Sequence, residues 1–154
     1  METEYKNNIY ERLLEIKLDI DISATPTPQQ INEKIGECHT YIEEVEHFNI
    51  RVHQELSVMQ KALNNAQAQY ELKKDTLITQ EPIRSLPNIK DREAKSNLLL
   101  REDRETVKNY QNELSDLNNL LKAITLKQKN LTRANNDIKL QMRVLDAQLK
   151  LGSG

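Results

Sequence analysis

The side chains most able to hold a metal ion are one cysteine and three histidines, Cys38, His39, His47 and His53. A zinc site needs three or four such ligands that converge on one point. His39 and Glu43 would share one face of a helix, but no third ligand follows at a suitable spacing. The sequence has no glycine-rich phosphate loop and no Ser-His-Asp arrangement. We therefore expect no metal site, no cofactor and no catalytic residue, and the protein is not predicted to be an enzyme.

Basic side chains form the second group that could do chemistry. Residues 120–154 hold seven Lys or Arg and two Asp or Glu, whereas residues 1–60 hold five and twelve. Positive tracks of this kind bind the phosphates of single-stranded nucleic acid without strong sequence preference. The alternative is that these cations are ordinary solvent-exposed residues on the outer face of a coiled coil and bind nothing. The candidate DNA-binding residues are Lys108, Lys122, Lys127, Lys129, Arg133, Lys139, Arg143 and Lys150.

A further basic cluster lies near the middle of the chain and is mixed with acidic residues. Ion pairs between residues four apart on a helix explain most of this pattern, and contact with a polyanion is the alternative. Its members are Arg84, Lys90, Arg92, Lys95, Arg101 and Arg104.

These side chains are positioned by two long predicted helices. Residues 88–151 contain no proline and no glycine, and from position 107 an apolar residue recurs every three or four positions. Only Gln128 and Asn135 interrupt this heptad series, which indicates a coiled-coil helix. A second heptad series runs from Pro28 to about Thr79. Its start is marked by a capping box in which Thr27 and Gln30 satisfy each other's backbone groups.

Residues 80–88 are predicted to form a turn, because Pro82 and Pro87 prevent a helix from continuing. Folding back about residue 85 keeps the two heptad series in phase. We therefore predict an all-α fold, a long antiparallel helical hairpin (a coiled coil) over residues 28–151. Asn49, at a core position of this hairpin, is interpreted as a residue that fixes the register.

Residues 1–27 are predicted to form a short amphipathic helix, at 4–18, and an extended segment, Leu18–Ile22. We expect them to cover the end of the second long helix, which runs past the start of the first. Tyr41 and Phe48 are expected to pack on the N-terminal helix. Residues 152–154 are expected to be a flexible tail.

The uncovered end of the second helix carries apolar residues on two sides, and a helix of this kind needs two partners. One partner is expected to be a second copy of the chain, so we predict a homo-oligomer. The candidate oligomerisation residues are Leu140, Met142, Val144, Leu145, Leu149 and Leu151.

The composition agrees with this fold and also indicates the cellular compartment in which the protein is expected. Charged residues make up 30% of the 154 residues and there is no Trp, which suits long amphipathic helices better than a sheet or an enzyme with a deep cleft. No apolar run is long enough to span a membrane, and the N-terminus lacks the apolar region of a secretory signal. A single cysteine fits a reducing compartment. We expect a cytoplasmic protein without a membrane partner.

The whole layout resembles the UvsY-type recombination mediators of bacteriophages. The similarity covers a short helix followed by Asp19-Ile20-Asp21-Ile22-Ser23, one long helix and a broken linker. It continues with Lys90-Asp91-Arg92-Glu93-Ala94-Lys95 and a basic helix that closes in Ile138-Lys139-Leu140-Gln141-Met142-Arg143 and a final Leu-Gly.

The resemblance implies an accessory protein of DNA recombination and repair in the cytoplasm of a bacterial host. Such proteins bind single-stranded DNA as ring-like homo-oligomers and help load a RecA-like recombinase onto strands covered by single-strand-binding protein. Their DNA contacts include basic residues near the end of the first long helix. Here only Lys73 and Lys74 lie in that region, beside Glu71 and Asp75. The alternative function is a structural coiled-coil scaffold or adaptor, for instance a virion or assembly component, with no nucleic-acid binding.

Overall fold

The computed structural model describes residues 1–18, 26–80 and 83–152. Over these ranges the elements are four helices, and the described residues form no strand. The helices are α1 (Thr3–Glu15), α2 (Pro28–Thr79), α3 (Ile89–Leu99) and α4 (Arg101–Gly152). Because α2 and α4 pack against each other as a hairpin, the predicted all-α hairpin is confirmed. Beyond Leu18, the predicted extended segment lies outside the described residues.

The helix starts follow local hydrogen bonding, as the sequence predicts. The backbone N–H of Gln30 donates to Thr27 Oγ1 at 3.2 Å, and the backbone N–H of Thr27 donates to Gln30 Oε1 at 2.9 Å. This is the capping box that fixes the start of α2 at Pro28. Asn88 caps α3 in the same way, since its Oδ1 accepts from the backbone N–H of Asp91 at 2.8 Å. At the other end, α4 continues through Gly152, which we had expected in the tail.

The chain forms two compact units. Unit 1 contains residues 1–53 and 119–154, and its core is a line of side chains contributed by α2 and α4. The Cys38 thiol donates to the carbonyl oxygen of Leu131 at 3.4 Å, and Asn49 Nδ2 donates to Gln128 Oε1 at 3.1 Å. The later residue of α2 therefore meets the earlier residue of α4, so the helices run antiparallel. The buried members of this core are Ile31, Cys38, Val45, Val52, Ile124, Leu131 and Ile138.

Helix α1 packs on unit 1 as a third helix. Arg12 donates to both carboxylate oxygens of Glu44, at 2.7 and 3.0 Å, and Arg51 lies 4.1 Å from the centre of the Tyr5 ring. The Glu44 carboxylate raises the pKa of the Arg12 guanidinium. The earlier residue of α1 thus meets the later residue of α2, which makes α1 antiparallel to α2. Arg12 also lies 6.0 Å from the Tyr41 ring, so the expected packing of Tyr41 beside the N-terminal helix is confirmed.

The position of α1 corrects one expectation. On α4, Leu120 and Ala134 are buried, and Lys127 between them donates from Nζ to the carbonyl oxygen of Ile16 at 2.9 Å. The C-terminal end of α1 is therefore tied to the middle of α4 by this bond. We had expected the N-terminal helix to cover the end of the second long helix, and this expectation is wrong. On that end Leu140, Val144, Leu149 and Leu151 are exposed.

Unit 2 contains residues 54–118. Its structure shows that a second expectation was wrong. The predicted helix over residues 88–151 is not continuous, because Leu100 separates α3 from α4 with φ −99° and ψ 21°. Leu100 is 4% exposed, whereas its neighbours Leu98 and Leu99 are 65% and 56% exposed. The change of direction therefore accompanies burial of Leu100 in the core of unit 2, together with Ile83 and Ser96.

We expect the polar pair Asn49 and Gln128 to be coupled energetically. Changing either residue to Ala breaks their hydrogen bond and leaves the other amide unpaired, which costs about 1 kcal/mol. The double variant should lose less than the sum of the single losses, with a coupling of about 0.5–1 kcal/mol. Urea unfolding of the four proteins measures this. The exposed pair Gln60 and Asn64, which is also hydrogen-bonded, is the control. Strictly additive losses at Asn49 and Gln128 would contradict a seam hydrogen bond.

Candidate nucleic-acid and self-association surfaces

An exposed basic face runs along the part of α4 that belongs to unit 1. When the core residues Leu131 and Ile138 are assigned to heptad position d, the members of this face fall at positions b, e and f, which are neighbours on the helix surface. Lys122 and Lys150 lie 28 residues apart, so the face is about 42 Å long at 1.5 Å per residue. Within the described ranges, no ion pair or side-chain hydrogen bond engages the cations from Lys122 to Arg143 on this face. They are Lys122, Lys129, Arg133, Lys139 and Arg143, and Lys150 is exposed beyond them.

Two of the predicted DNA-binding residues lie elsewhere. Lys127 is half-buried on the face of α4 that meets α1, and its ammonium is held by the carbonyl oxygen of Ile16. We therefore leave Lys127 out of the basic face. Lys108 is exposed but belongs to unit 2, where it lines a groove together with Arg104.

This groove of unit 2 was not predicted from the sequence. It has a volume of about 810 Å³ and is formed by α2, α3 and the first turns of α4. Tyr70 lines it, and the Tyr70 hydroxyl donates to Asn97 Oδ1 at 3.1 Å. The groove lies beside the break at Leu100, and no sequence signal marks that break. From the sequence of residues 88–118, only the basic residues of this region could be recognised as candidates for binding.

Two of the six cations of the second basic cluster are held by bonds within unit 2. Arg92 donates to the carbonyl oxygen of Leu86 at 3.0 Å, and Arg101 pairs with Glu105, four residues later, at 3.1 Å. The Arg101–Glu105 pair is of the kind expected for this cluster. The other four cations form no ion pair or side-chain hydrogen bond with a described residue; they are Arg84, Lys90, Lys95 and Arg104.

The C-terminal end of α4 is apolar as well as basic. Leu140, Val144 and Leu151 are 58%, 51% and 83% exposed, and Leu149 is also exposed. Met142 and Leu145 are half-buried. These exposed apolar side chains make the end of α4 a candidate interaction surface.

The register explains why this end is uncovered. Cys38 meets Leu131, and Pro28 lies ten residues before Cys38, so Pro28 is level with Gln141, ten residues after Leu131. The last eleven residues of α4, 142–152, therefore continue past the first residue of α2. At 1.5 Å per residue this overhang is about 16 Å long.

The residues first considered for metal binding do not converge. Cys38 is buried in the core, and burial raises the pKa of its thiol. His39, His47 and His53 are exposed. The described residues contain no group of three or more His, Cys, Asp or Glu side chains that could hold a metal ion. No helix among them is long and apolar enough to cross a membrane.

Comparison of the chain with protein-family models, with curated proteins and with solved structures gave no match.

We expect Lys127 to stabilise the packing of α1 and to contribute little to binding of an anion. In K127M the apolar stem remains but the bond to the Ile16 carbonyl is lost, so α1 should detach more often. Limited trypsin digestion, followed at Arg12 and Lys17, measures this as faster cleavage. The control is K129M, which removes an exposed cation two residues away. Equal cleavage of the two variants would contradict the assignment.

Proposed function

We propose that the protein binds single-stranded DNA as a homo-oligomer and acts as a recombination mediator. In this role it helps load a RecA-like recombinase onto strands covered by single-strand-binding protein. The observation that supports DNA binding is the exposed basic face of α4, where no described side chain pairs with the cations from Lys122 to Arg143 and which ends in an exposed apolar surface. The recombinase and the single-strand-binding protein are proposed from the resemblance to the UvsY-type mediators alone.

The basic face suits contact with phosphates without base recognition. Lys122 and Lys129 lie seven residues apart, about 10 Å along the helix, and Arg143 follows fourteen residues, or about 21 Å, later. Arg133 and Lys139 lie between Lys129 and Arg143 on neighbouring positions of the same face. Long, mobile Lys and Arg side chains reach phosphates over such a spacing, and each contact releases a counterion from the DNA. Aromatic residues are absent from residues 111–154, so stacking of bases does not contribute on this face. Binding there should therefore be electrostatic and salt-dependent.

The apolar end of α4 provides the proposed contact between copies. Leu140, Val144, Ala147 and Leu151 are spaced 4, 3 and 4 residues apart, which is the seam pattern of a coiled coil. In a parallel coiled coil, the residue just before one seam position lies opposite a residue of the partner. That partner residue comes just after the next seam position. Arg143 would then face a neutral glutamine, Gln148, of the second copy. An antiparallel pairing would bring Arg143 and Lys150 of two copies together, so charge favours the parallel arrangement.

Assembly and DNA binding are connected in this proposal. Parallel pairing at the C-terminal end places the basic faces of several copies on the same side of the assembly. One DNA strand can then contact several faces, and the combined affinity exceeds that of a single chain. A structural scaffold or adaptor remains the second candidate, because the uncovered apolar end supports self-association whether or not DNA binds.

We expect the triple variant K122A/K129A/R143A to lose affinity for oligo-dT by about 10- to 100-fold at low salt. Because each phosphate contact adds about 0.7 to the slope of log affinity against log salt, the slope should fall by about 2. Fluorescence anisotropy with a labelled oligonucleotide measures both quantities. The control K61A/K90A/K95A removes three exposed cations that lie off this face. If the wild type does not bind at low salt, the scaffold function replaces DNA binding. An unchanged triple variant would move the site away from the basic face of α4.

We expect V144E/L151E to dissociate the oligomer. Burying each of these side chains against a second copy contributes about 1.5–3 kcal/mol, so the two charges should raise the dissociation constant more than 100-fold. Light scattering measures the mass, which should fall to that of a single chain. The control V58E/L72E charges two exposed apolar residues of α2. A wild type that is monomeric, or a variant with unchanged mass, would rule out this interface.

A further inference from the structure

We propose that the groove of unit 2 binds one nucleotide of single-stranded DNA, with the base against Tyr70 and the phosphates on Arg104 and Lys108. This inference rests on the proposed function and adds a second kind of contact to it. The basic face of α4 offers charge alone, whereas the groove combines charge with an aromatic ring and amide groups.

The charge in the groove is available to a ligand. Among the acidic side chains nearby, Asp103 is paired with Lys73, and Glu105 is paired with Arg101. Arg104 and Lys108 are four residues apart, so they lie on the same face of α4. No described side chain forms an ion pair or hydrogen bond with either cation. The groove edge therefore carries two uncompensated positive charges at a spacing that suits adjacent phosphates.

The rest of the groove matches a base better than a simple anion. Tyr70 presents an aromatic ring, and its hydrogen bond to Asn97 at 3.1 Å restrains that ring before any ligand arrives. Leu98, which is largely exposed, adds apolar surface on α3. The Asn97 and Gln111 amides can donate to and accept from a base edge. Aromatic stacking with phosphate contacts is the usual means of holding single-stranded DNA.

The first test removes the charges of the groove. In R104Q/K108Q the slope of log affinity for oligo-dT against log salt should fall by about 1.4, and affinity at low salt should fall about tenfold. The control K90Q/K95Q removes two exposed cations of unit 2 that do not line the groove. If the wild type does not bind oligo-dT, the proposed function and the groove fail together. If it binds and the two double variants behave alike, the groove fails and the proposed function stands.

The second test asks whether a base enters the groove. Wild type should bind oligo-dT at least about fivefold more tightly than an abasic oligonucleotide of equal length, because a stacked base adds affinity. Y70A should lose this preference, and Y70F, which keeps the ring, should retain it. Circular dichroism melting shows whether each variant is folded. If Y70F loses the preference as Y70A does, or if wild type shows none, base binding is wrong. Polyglutamate and unlabelled oligo-dT can also be compared as competitors of labelled oligo-dT. If polyglutamate displaces it equally well, the groove would be assigned to acidic peptides instead.

Discussion

Removal of the a and d side chains of α2 and α4 from water is the interaction on which unit 1 depends. Ile31, Val45, Ile124 and Ile138 have no exposed surface, and burial of each such side chain contributes about 1.5–3 kcal/mol. The antiparallel register keeps these side chains opposite one another, and the Asn49–Gln128 hydrogen bond adds a polar layer to that core. Because α4 continues past the start of α2 in this register, residues 142–152 have no counterpart on α2. The proposed assembly surface follows from this inequality.

The charge distribution within unit 1 limits where the proposed binding of DNA can occur. Residues 1–53 hold five basic and eleven acidic side chains, whereas residues 119–154 hold seven basic and two acidic. Eight of these eleven acidic residues lie on α1 or α2, and the seven basic ones of residues 119–154 lie on α4. One of the few cations of α1, Arg12, is held by Glu44. Phosphates are therefore repelled from the α1 and α2 side and attracted to the outer face of α4.

Sequence reasoning predicted the features that depend on local patterns. The heptad series predicted the hairpin, and Thr27 and Gln30 predicted the start of α2, because caps and periodicity are encoded within a few residues. It missed the break at Leu100, since no proline or glycine marks it. The break is associated with tertiary burial of Leu100, and only the folded chain shows which of three consecutive leucines is buried.

Sequence reasoning also misplaced α1, for a reason visible on α4. Leu120 and Ala134 form the face that receives α1, but Lys127 lies between them and interrupts the apolar pattern. Lys127 fits there because its ammonium reaches the Ile16 carbonyl while its stem stays half-buried. A charge count from sequence treats that lysine as one more cation of the binding face. Its hydrogen bond is a long-range contact, so spacing alone does not reveal it.

Amide hydrogen exchange, measured with and without oligo-dT at low salt, tests the central claim most directly. The claim is that α4 is the DNA-binding helix and that its last eleven residues, which continue past α2, pack against a second copy. We predict slow exchange over residues 117–138 in both states and exchange over 142–152 that slows as protein concentration rises. DNA should add protection around the groove of unit 2 and along the basic face. Protection by DNA confined to α1 and α2, or residues 142–152 already protected in dilute monomer, would contradict the account.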